Sequence, residues 1–384
     1  MKRLWKGLAV VVTVGMLCGV GSTARAVVGI PDDVPAATLL YPFFKVDPNR
    51  TGQSAQDTIF VVSDVANHPV HVHITIWSIR SEHVFDFTAL LSEHDVFSCS
   101  VYDLLLGGIG CTSLNGLVVA PPQAAAQLTT TINGKPMLAG YITADTAPGN
   151  TSLFPGQAGY QIADCNILIG HEYIVDLPAG SSTGFNAVSI EHTRAEKGQP
   201  APPFPNSTIG FYLNRCLENQ GVPCVYDLLE RIDAPNGDIA QTRTNDTPAL
   251  KLILRYFTAA NLQARTEVWL WKDRNTNIPV TLSVYDEDEN VFSITQNFPN
   301  EVNFVDVAGI IIPGAPGGWF RVPFNTAQFA PSSTGIQYGP IQAVAYALQL
   351  ANSQSAQLRW DAIFPAHRQY TNFLSFPPGV TNPE

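Results

Sequence analysis

Residues 70–77 read Val-His-Val-His-Ile-Thr-Ile-Trp, a strict alternation that places Val70, Val72, Ile74 and Ile76 on one side of an extended chain and His71, His73, Thr75 and Trp77 on the other. Side chains two apart share a face only in a strand, so this stretch is a β-strand with one apolar face. Upstream, Thr58–Ser63 is another candidate strand rich in Val, Ile, Thr and Phe, and Val84–Leu90 supplies a return strand. Further runs rich in Val, Ile, Thr and aromatics span 38–46, 138–144, 172–177 and 186–191. In the second half they span 250–257, 266–271, 280–285, 290–294, 319–322, 343–350 and 356–364. Helical periodicity is confined to 101–106 and 225–232, both beginning Val-Tyr-Asp-Leu. The fold class predicted is all-β, with one or two short helices.

The strand pattern recurs. PAATLLYPFF (35–44), DTIFVVSDVANHPVHVHITIW (57–77) and VFDF (84–87) are matched in order by PALKLILRYF (248–257), RTEVWLWKDRNTNIPVTLSVY (265–285) and VFSI (291–294). This predicts an internal duplication and two tandem β-sandwich-like domains of immunoglobulin type. Between the copies, GQPAPPFPN (198–206) has four prolines in nine residues and reads as a linker. The expected organisation is a signal peptide at 1–26, a first domain at 27–197, the linker at 198–206 and a second domain at 207–384.

The first 26 residues carry the signal features. Lys2, Arg3 and Lys6 precede an apolar stretch from Leu8 to Val20, and Ala24-Arg25-Ala26 offers small-x-small cleavage. That apolar stretch is shorter than the ~20 residues a spanning helix needs. Leu17 before Cys18 argues against a lipoprotein. The segment holds four of the 21 basic residues and none of the 32 acidic ones, so the mature chain has 17 basic against 32 acidic side chains, a net charge of −15. Such a chain is repelled by phosphate backbones and by anionic lipid surfaces, which argues against nucleic acid as a partner. The expected location is periplasmic, extracellular or at the cell surface, with no transmembrane segment after cleavage.

Several stretches resemble a group of uncharacterised exported bacterial β-proteins: VPAATLLYPFF after the signal, VHVHITIW, GYITAD (140–145), and EDENVFS followed by PNE (299–301). The resemblance implies an exported bacterial β-protein, and no activity comes with it.

Five cysteines remain after cleavage. Sequence proximity in an oxidising compartment pairs Cys99 with Cys111 and Cys216 with Cys224 and leaves Cys165 over, although pairings that use Cys165 stay open. The sharpest candidate for chemistry is the pair His71 and His73, which share a strand face and could reach one Zn²⁺ or Cu²⁺, with His68, His83 or His94 completing the set. The competing reading is a polar strand face. Gly180-Ser181-Ser182-Thr183-Gly184 matches the GxSxG pattern of serine hydrolases, but it lies between expected strands rather than before a helix and reads as a hairpin loop. Asp286-Glu287-Asp288-Glu289 and Asp273-Arg274-Asn275-Thr276-Asn277 read as turns rather than calcium loops. Trp77, Trp269, Trp271 and Trp319 could stack on sugars, and a carbohydrate-active enzyme with unidentified carboxylates is one alternative; Trp269 and Trp271 fit a sandwich core equally well. The leading expectation is a non-enzymatic exported protein that binds a protein, a glycan or another copy of itself, with no cofactor.

Overall fold

The computed structural model describes residues 35–50, 55–107, 109–155, 157, 160–163, 166–176, 180–190, 250–272, 277–311, 313–324, 343–353 and 358–370. It is all-β, built from antiparallel sheets in two regions. The expected signal segment, the expected linker at 198–206, the helical stretch expected at 225–232, and Cys165, Cys216 and Cys224 lie outside the described residues. No helix among the described residues is long and apolar enough to cross a membrane.

The first half contains β1 (Thr38–Val46), β2 (Gln56–Asp64), β3 (Val70–Ser78), β4 (His83–Leu91), β5 (Val96–Ser100), β6 (Cys111–Ser113), β7 (Gly116–Val118), β8 (Thr129–Ile132), β9 (Lys135–Ala147), β10 (Leu168–Asp176), β11 (Ser181–Asn186) and β12 (Val188–Ile190). A six-residue helix, α1 (Gln123–Leu128), and a π-type turn at Asp103–Gly107 are added to these. The second half contains β13 (Leu250–Phe257), β14 (Arg265–Lys272), β15 (Ile278–Asp286), β16 (Val291–Phe298), β17 (Val302–Asp306), β18 (Gly317–Phe324), β19 (Ala343–Ser353), β20 (Leu358–Pro365) and β21 (His367–Tyr370).

Each half has a larger and a smaller sheet. In the first half these run β12-β1-β9-β3-β4, with β8 added to β9, and β11-β10-β2-β5. In the second they run β21-β13-β18-β15-β16 and β20-β19-β14-β17. Taken strand for strand, the two orders are the same. Local detail repeats as well. Thr58 clamps the end of β1 through Lys45, whose N–H it accepts at 3.0 Å and whose carbonyl it donates to at 2.9 Å. Thr266 does the same to Phe257, at 2.9 and 2.9 Å. Gly140 and Gly318 stand in matching places, where a Cβ would collide with the carbonyl oxygens of Trp77 and Tyr285 respectively. Trp77 stacks on Tyr141 just as Tyr285 stacks on Trp319.

Val70 corresponds to Ile278, so Pro279 falls inside β15 and is not the counterpart of Pro69. In β1 a bulge sets Pro42 and Phe43 against Tyr141 alone, which shifts the downstream match by one residue and makes Lys45 the counterpart of Phe257. A proline is tolerated there because a bulge has a backbone position that need not donate to the ladder.

Three apolar clusters divide the molecule into layers. The sheets of the first half enclose Leu39, Tyr41, Phe44, Phe60, Val62, Val72, Ile74, Ile76 and Ile142. Those of the second enclose Leu252, Leu254, Val268, Leu270, Leu282, Val284, Phe320 and Val322. A third cluster lies between the larger sheet of the first half and the smaller sheet of the second, and joins Leu40, Phe43, Trp77 and Tyr141 to Trp269, Trp271, Val344 and Tyr346. Strand β1 is therefore buried on both faces, which explains its unbroken run TLLYPFFKV. Trp269 and Trp271 belong to this seam between the halves and not to the core of their own half.

The expected disulfide Cys99–Cys111 is present, with Cα atoms 5.4 Å apart. It ties β5 to the small β6–β7 hairpin. Glu172 of β10 is wholly buried among apolar neighbours, with no hydrogen-bond partner among the described residues for either oxygen. Burial pushes its carboxyl well above the usual carboxylate range, and the nearby Tyr41 is itself pushed up by burial and by Glu172. A carboxyl raised in the folded state favours folding only while protonated, so its contribution is full below the unfolded value near 4.3 and is lost as pH rises through the folded value. Replacing Glu172 by Leu is expected to stabilise the protein at pH 7 by about 1–3 kcal/mol in urea unfolding. A loss of stability would mean that the carboxyl is bonded in solution.

Candidate functional site

The pleat of β3 places His71 and His73 on one face, as their spacing requires. That face is not open to water around His73. The strand lies between β4 and β9, so His73 has Thr88 and Asp145 as lateral neighbours and is fully buried. Its Nδ1 lies 3.0 Å from Thr88 Oγ1, and its Nε2 lies 3.5 Å from Asp86 Oδ1. His83 approaches the other oxygen of the same carboxylate at 2.8 Å. Asp86 thus sits between two imidazoles.

The segment after β9 closes over this face. Thr88 Oγ1 donates to Thr151 O at 3.2 Å and accepts from Thr151 N at 3.3 Å. Phe154 stacks on the His83 ring with centroids 3.7 Å apart. Tyr160 packs against His73 and donates to Asp145 Oδ2 at 2.5 Å, while Thr38 donates to Asp145 Oδ1 at 2.5 Å. Trp77 Nε1 donates to Thr143 Oγ1 at 3.0 Å. The result is a layer of polar side chains tying β1, β9, β3 and β4 to the segment that covers them.

Desolvation lowers the His73 pKa to about 4; Asp86 acts in the opposite direction and His83 adds to the lowering. His73 is therefore neutral at neutral pH. Because the unfolded imidazole takes up a proton near 6.5 and the folded one does not, the contribution of His73 to stability is complete above about pH 6.5 and is lost as pH falls toward 4. The loss amounts to up to about 3 kcal/mol. Urea unfolding at pH 7 and pH 4.5 should show a steeper acid loss for the wild type than for His73→Gln; equal losses would contradict this assignment.

His71 is half-buried two residues away, His68 is exposed, and His94 occupies the β4–β5 turn. Of the expected helpers, His83 is brought to His73, through Asp86. Among the described residues no group of three or more His, Cys, Asp or Glu side chains is placed to hold a metal ion.

The other sequence candidates resolve as follows. Residues 181–184 do not form the expected loop but are part of β11, paired with β10, and the turn comes before them at Gly180. Ser182 thus stands in a ladder opposite Val175 rather than on an elbow. Ser181 Oγ donates to Asp361 Oδ2 of the other half at 2.6 Å. Asp286–Glu289 is the expected hairpin tip. Asp286 Oδ1 accepts from the N–H groups of Asp288 and Asn290 at 3.0 and 2.8 Å, and Oδ2 accepts from Asn290 Nδ2 at 2.8 Å. These bonds, the side-chain one foremost, lower its pKa. The calcium-like run at 273–277 lies almost entirely outside the described residues. Trp77, Trp269 and Trp271 are buried, which leaves Trp319, half-buried, stacked 4.0 Å from Tyr285 and beside Arg321.

Two features escaped the sequence reading. One is an ion pair sealed in the seam: Lys45 Nζ lies 2.6 Å from Glu267 Oε2, with both side chains no more than 2% exposed. Glu267 also accepts from Asn133 Nδ2 at 2.9 Å and from Arg265 at 3.1 Å. Burial alone would raise its pKa, and Lys45 and Arg265 outweigh that and hold it low.

The other is an apolar surface. Of the ten large apolar side chains exposed among the described residues, five fall between 106 and 119: Leu106, Ile109, Leu114, Leu117 and Val119. The signal for it was present, since positions 104–134 contain no Asp, Glu, Lys, Arg or His.

No protein-family model matches the chain, and no curated protein does. Among solved structures, the crystal structure of a lectin from Pleurotus ostreatus in complex with GalNAc is similar at 11% identity over 90% of this chain and 90% of the lectin chain. Its TM-score is 0.15, a likeness that carries no argument about fold or ligand.

Proposed function

We propose that this is an exported, non-enzymatic binding protein made of two duplicated β-sandwich-like domains. Duplication is supported by the shared nine-strand order, by the Thr58 and Thr266 clamps and by the paired glycines. The immunoglobulin-like comparison is supported by β2 beside β5 and β3 beside β9, which match the B–E and C–F pairs of that fold. It departs where β10 follows β9, because β10 joins β2 in the opposite sheet.

The observation that carries the binding role is the separation of polar and apolar groups. Polar side chains that could do chemistry, His73, Asp145, Lys45 and Glu267, are spent on joining strands and halves. Large apolar side chains are instead concentrated on one exposed segment. In the protein's own host, fractionation should find the wild type retained with the envelope or with a partner. Leu114→Asp/Leu117→Asp should be released in free form with unchanged far-UV circular dichroism. Identical distribution of the two would contradict the binding role of this segment.

A further inference from the structure

The sheets of the two halves follow one another as layers: the smaller and larger sheets of the first half, then the smaller and larger sheets of the second. Within the chain, the outer face of the first larger sheet meets the outer face of the second smaller sheet, and the seam fills the space between them. One face of each kind is left over. The smaller sheet of the first half lies at one end of the stack, and the larger sheet of the second half at the other. This equivalence is that of the ladders, strand for strand, and holds however the two halves arose.

The open face of the first smaller sheet is built like the one the seam covers. The clamps set Thr58 level with Thr266, so Val61 and Ser63 stand where Trp269 and Trp271 do. On the flanking strands, Ile169 and His171 take the places of Val344 and Tyr346, and Val96 takes that of Val302. The outward positions from Ile59 to Ser63, Val96 to Ser100 and Ile169 to Val175 hold no Asp, Glu, Lys or Arg. An antiparallel sheet that faced only water would be polar on that side. Instead Val65, Val96 and Tyr173 are three of the five large apolar side chains exposed outside 106–119.

The open face of the second larger sheet repeats the other partner of the seam. Trp319 and Tyr285 take the places of Tyr141 and Trp77, the stacked pair that the seam buries in the first half. Here both rings are only half-buried. Cations surround them: Arg255 opposite Trp319, Arg321 two residues along β18, and Lys251 further along β13. The outward positions of β13, β15 and β18 hold no carboxylate, although the whole chain has 32 acidic residues against 21 basic ones. Bulk is exchanged as well. Arg321 is larger than Thr143, whose place it takes, while Val61 and Ser63 are smaller than the tryptophans they match. A basic face of long side chains thus complements an uncharged face of short ones, bordered by Glu93 and Asp95 in the turn before Val96.

We propose that copies of this protein assemble head to tail, the outer face of the second half's larger sheet in one copy stacking on the outer face of the first half's smaller sheet in the next. The contact repeats the internal seam between molecules. It joins two different faces and leaves one of each free, so the assembly is open-ended. It does not use Leu114 or Leu117 and goes beyond the binding role argued above. The net charge of −15 expected of each mature chain opposes assembly, and salt screens that opposition.

The test is sedimentation velocity of the purified, oxidised mature protein over a concentration series. The wild type is expected to form species beyond a dimer that grow with concentration, more readily at moderate than at low salt. Val96→Asp/Tyr173→Asp blocks one face and Trp319→Glu/Arg321→Glu the other. Each variant alone should stay monomeric with unchanged far-UV circular dichroism. Mixed one to one, they should form a dimer and nothing larger, because the mixture holds one intact face of each kind. A wild type that is monomeric at every salt concentration, or a mixture that stays monomeric, would overturn the proposal. Loss of assembly in only one variant would mean contact between like faces, which overturns it too. Leu114→Asp/Leu117→Asp should assemble as the wild type does; its failure to assemble would move the contact to that segment and sink the stacking of sheets. The envelope distribution of that last variant tests the binding role separately.

Discussion

Lys45→Ala is expected to cost about 3–5 kcal/mol, because it strands Glu267 in the seam without its main counter-charge. Arg265 cannot take over fully, since its own side chain is about half exposed to solvent and it meets the other carboxylate oxygen. The pair as a whole is another matter. Burying two charges consumes much of what their attraction returns, so an apolar pair of similar size should serve nearly as well. The molecule contains the comparison within itself. Where the first half has Lys45 at the Thr clamp, the second has Phe257; where the second half has Glu267, the first has Ile59. Lys45→Met combined with Glu267→Leu should therefore recover most of the lost stability in urea unfolding, to within about 1 kcal/mol of the wild type. A double variant no more stable than Lys45→Ala would show that the charges are needed for more than their mutual company.

Trp269→Ala should have an effect of the same size by a different route. The indole is buried between the halves, stacked 4.7 Å from Phe43 and tilted against Phe304 at 5.3 Å. Phe43 in turn touches Phe185 and Tyr346, so one ring supports a row of four. Removing a buried aromatic of this kind costs about 3–5 kcal/mol. Because the lost contacts lie between halves, the loss should also uncouple them. Calorimetry is expected to show one transition for the wild type and two for the variant, with the lower one assigned to the half that depends more on the seam. A single transition, shifted by less than about 1 kcal/mol, would mean that the seam is weaker than its packing indicates.

The bulge in β1 connects these two results. By inserting one extra residue opposite Tyr141, it turns Phe43 outward to Trp269 while Phe44 remains in the first core. The second half has no such bulge in β13, and its ladder with β18 runs without a shift.

How much of this could be read beforehand depended on the range of the interaction. Strands β1, β3 and β13 were legible to the residue, because alternation or unbroken apolarity bounded by turn residues is local information. The Cys99–Cys111 pair was legible for the same reason. The seam was not. A strand face covered by a later segment of the same half and one that meets water can carry the same His-x-Thr-x-Trp pattern, so read locally His71 to Trp77 is a surface, while the segment carrying Thr151 and Tyr160 buries His73. Lys45 and Glu267 are single charges 222 residues apart, and nothing local marks them as partners. The sequence of β11 reads as a loop because Gly and Ser are poor strand formers, and pairing with β10 overrides that preference. The apolar segment could have been found, since a charge-free run of this length is unusual in so acidic a chain, but each short piece of it reads as an ordinary strand or turn.

The most direct test of the functional account is hydrogen–deuterium exchange of the protein free and bound to its envelope fraction, resolved to peptides by mass spectrometry. The account predicts new protection confined to 104–119, with the His71–Trp77 strand equally slow in both states because it is already sealed by the protein itself. Protection that instead appears on His71–Trp77 and leaves 104–119 unchanged would contradict it, and would return the polar face of β3 to the position of binding site.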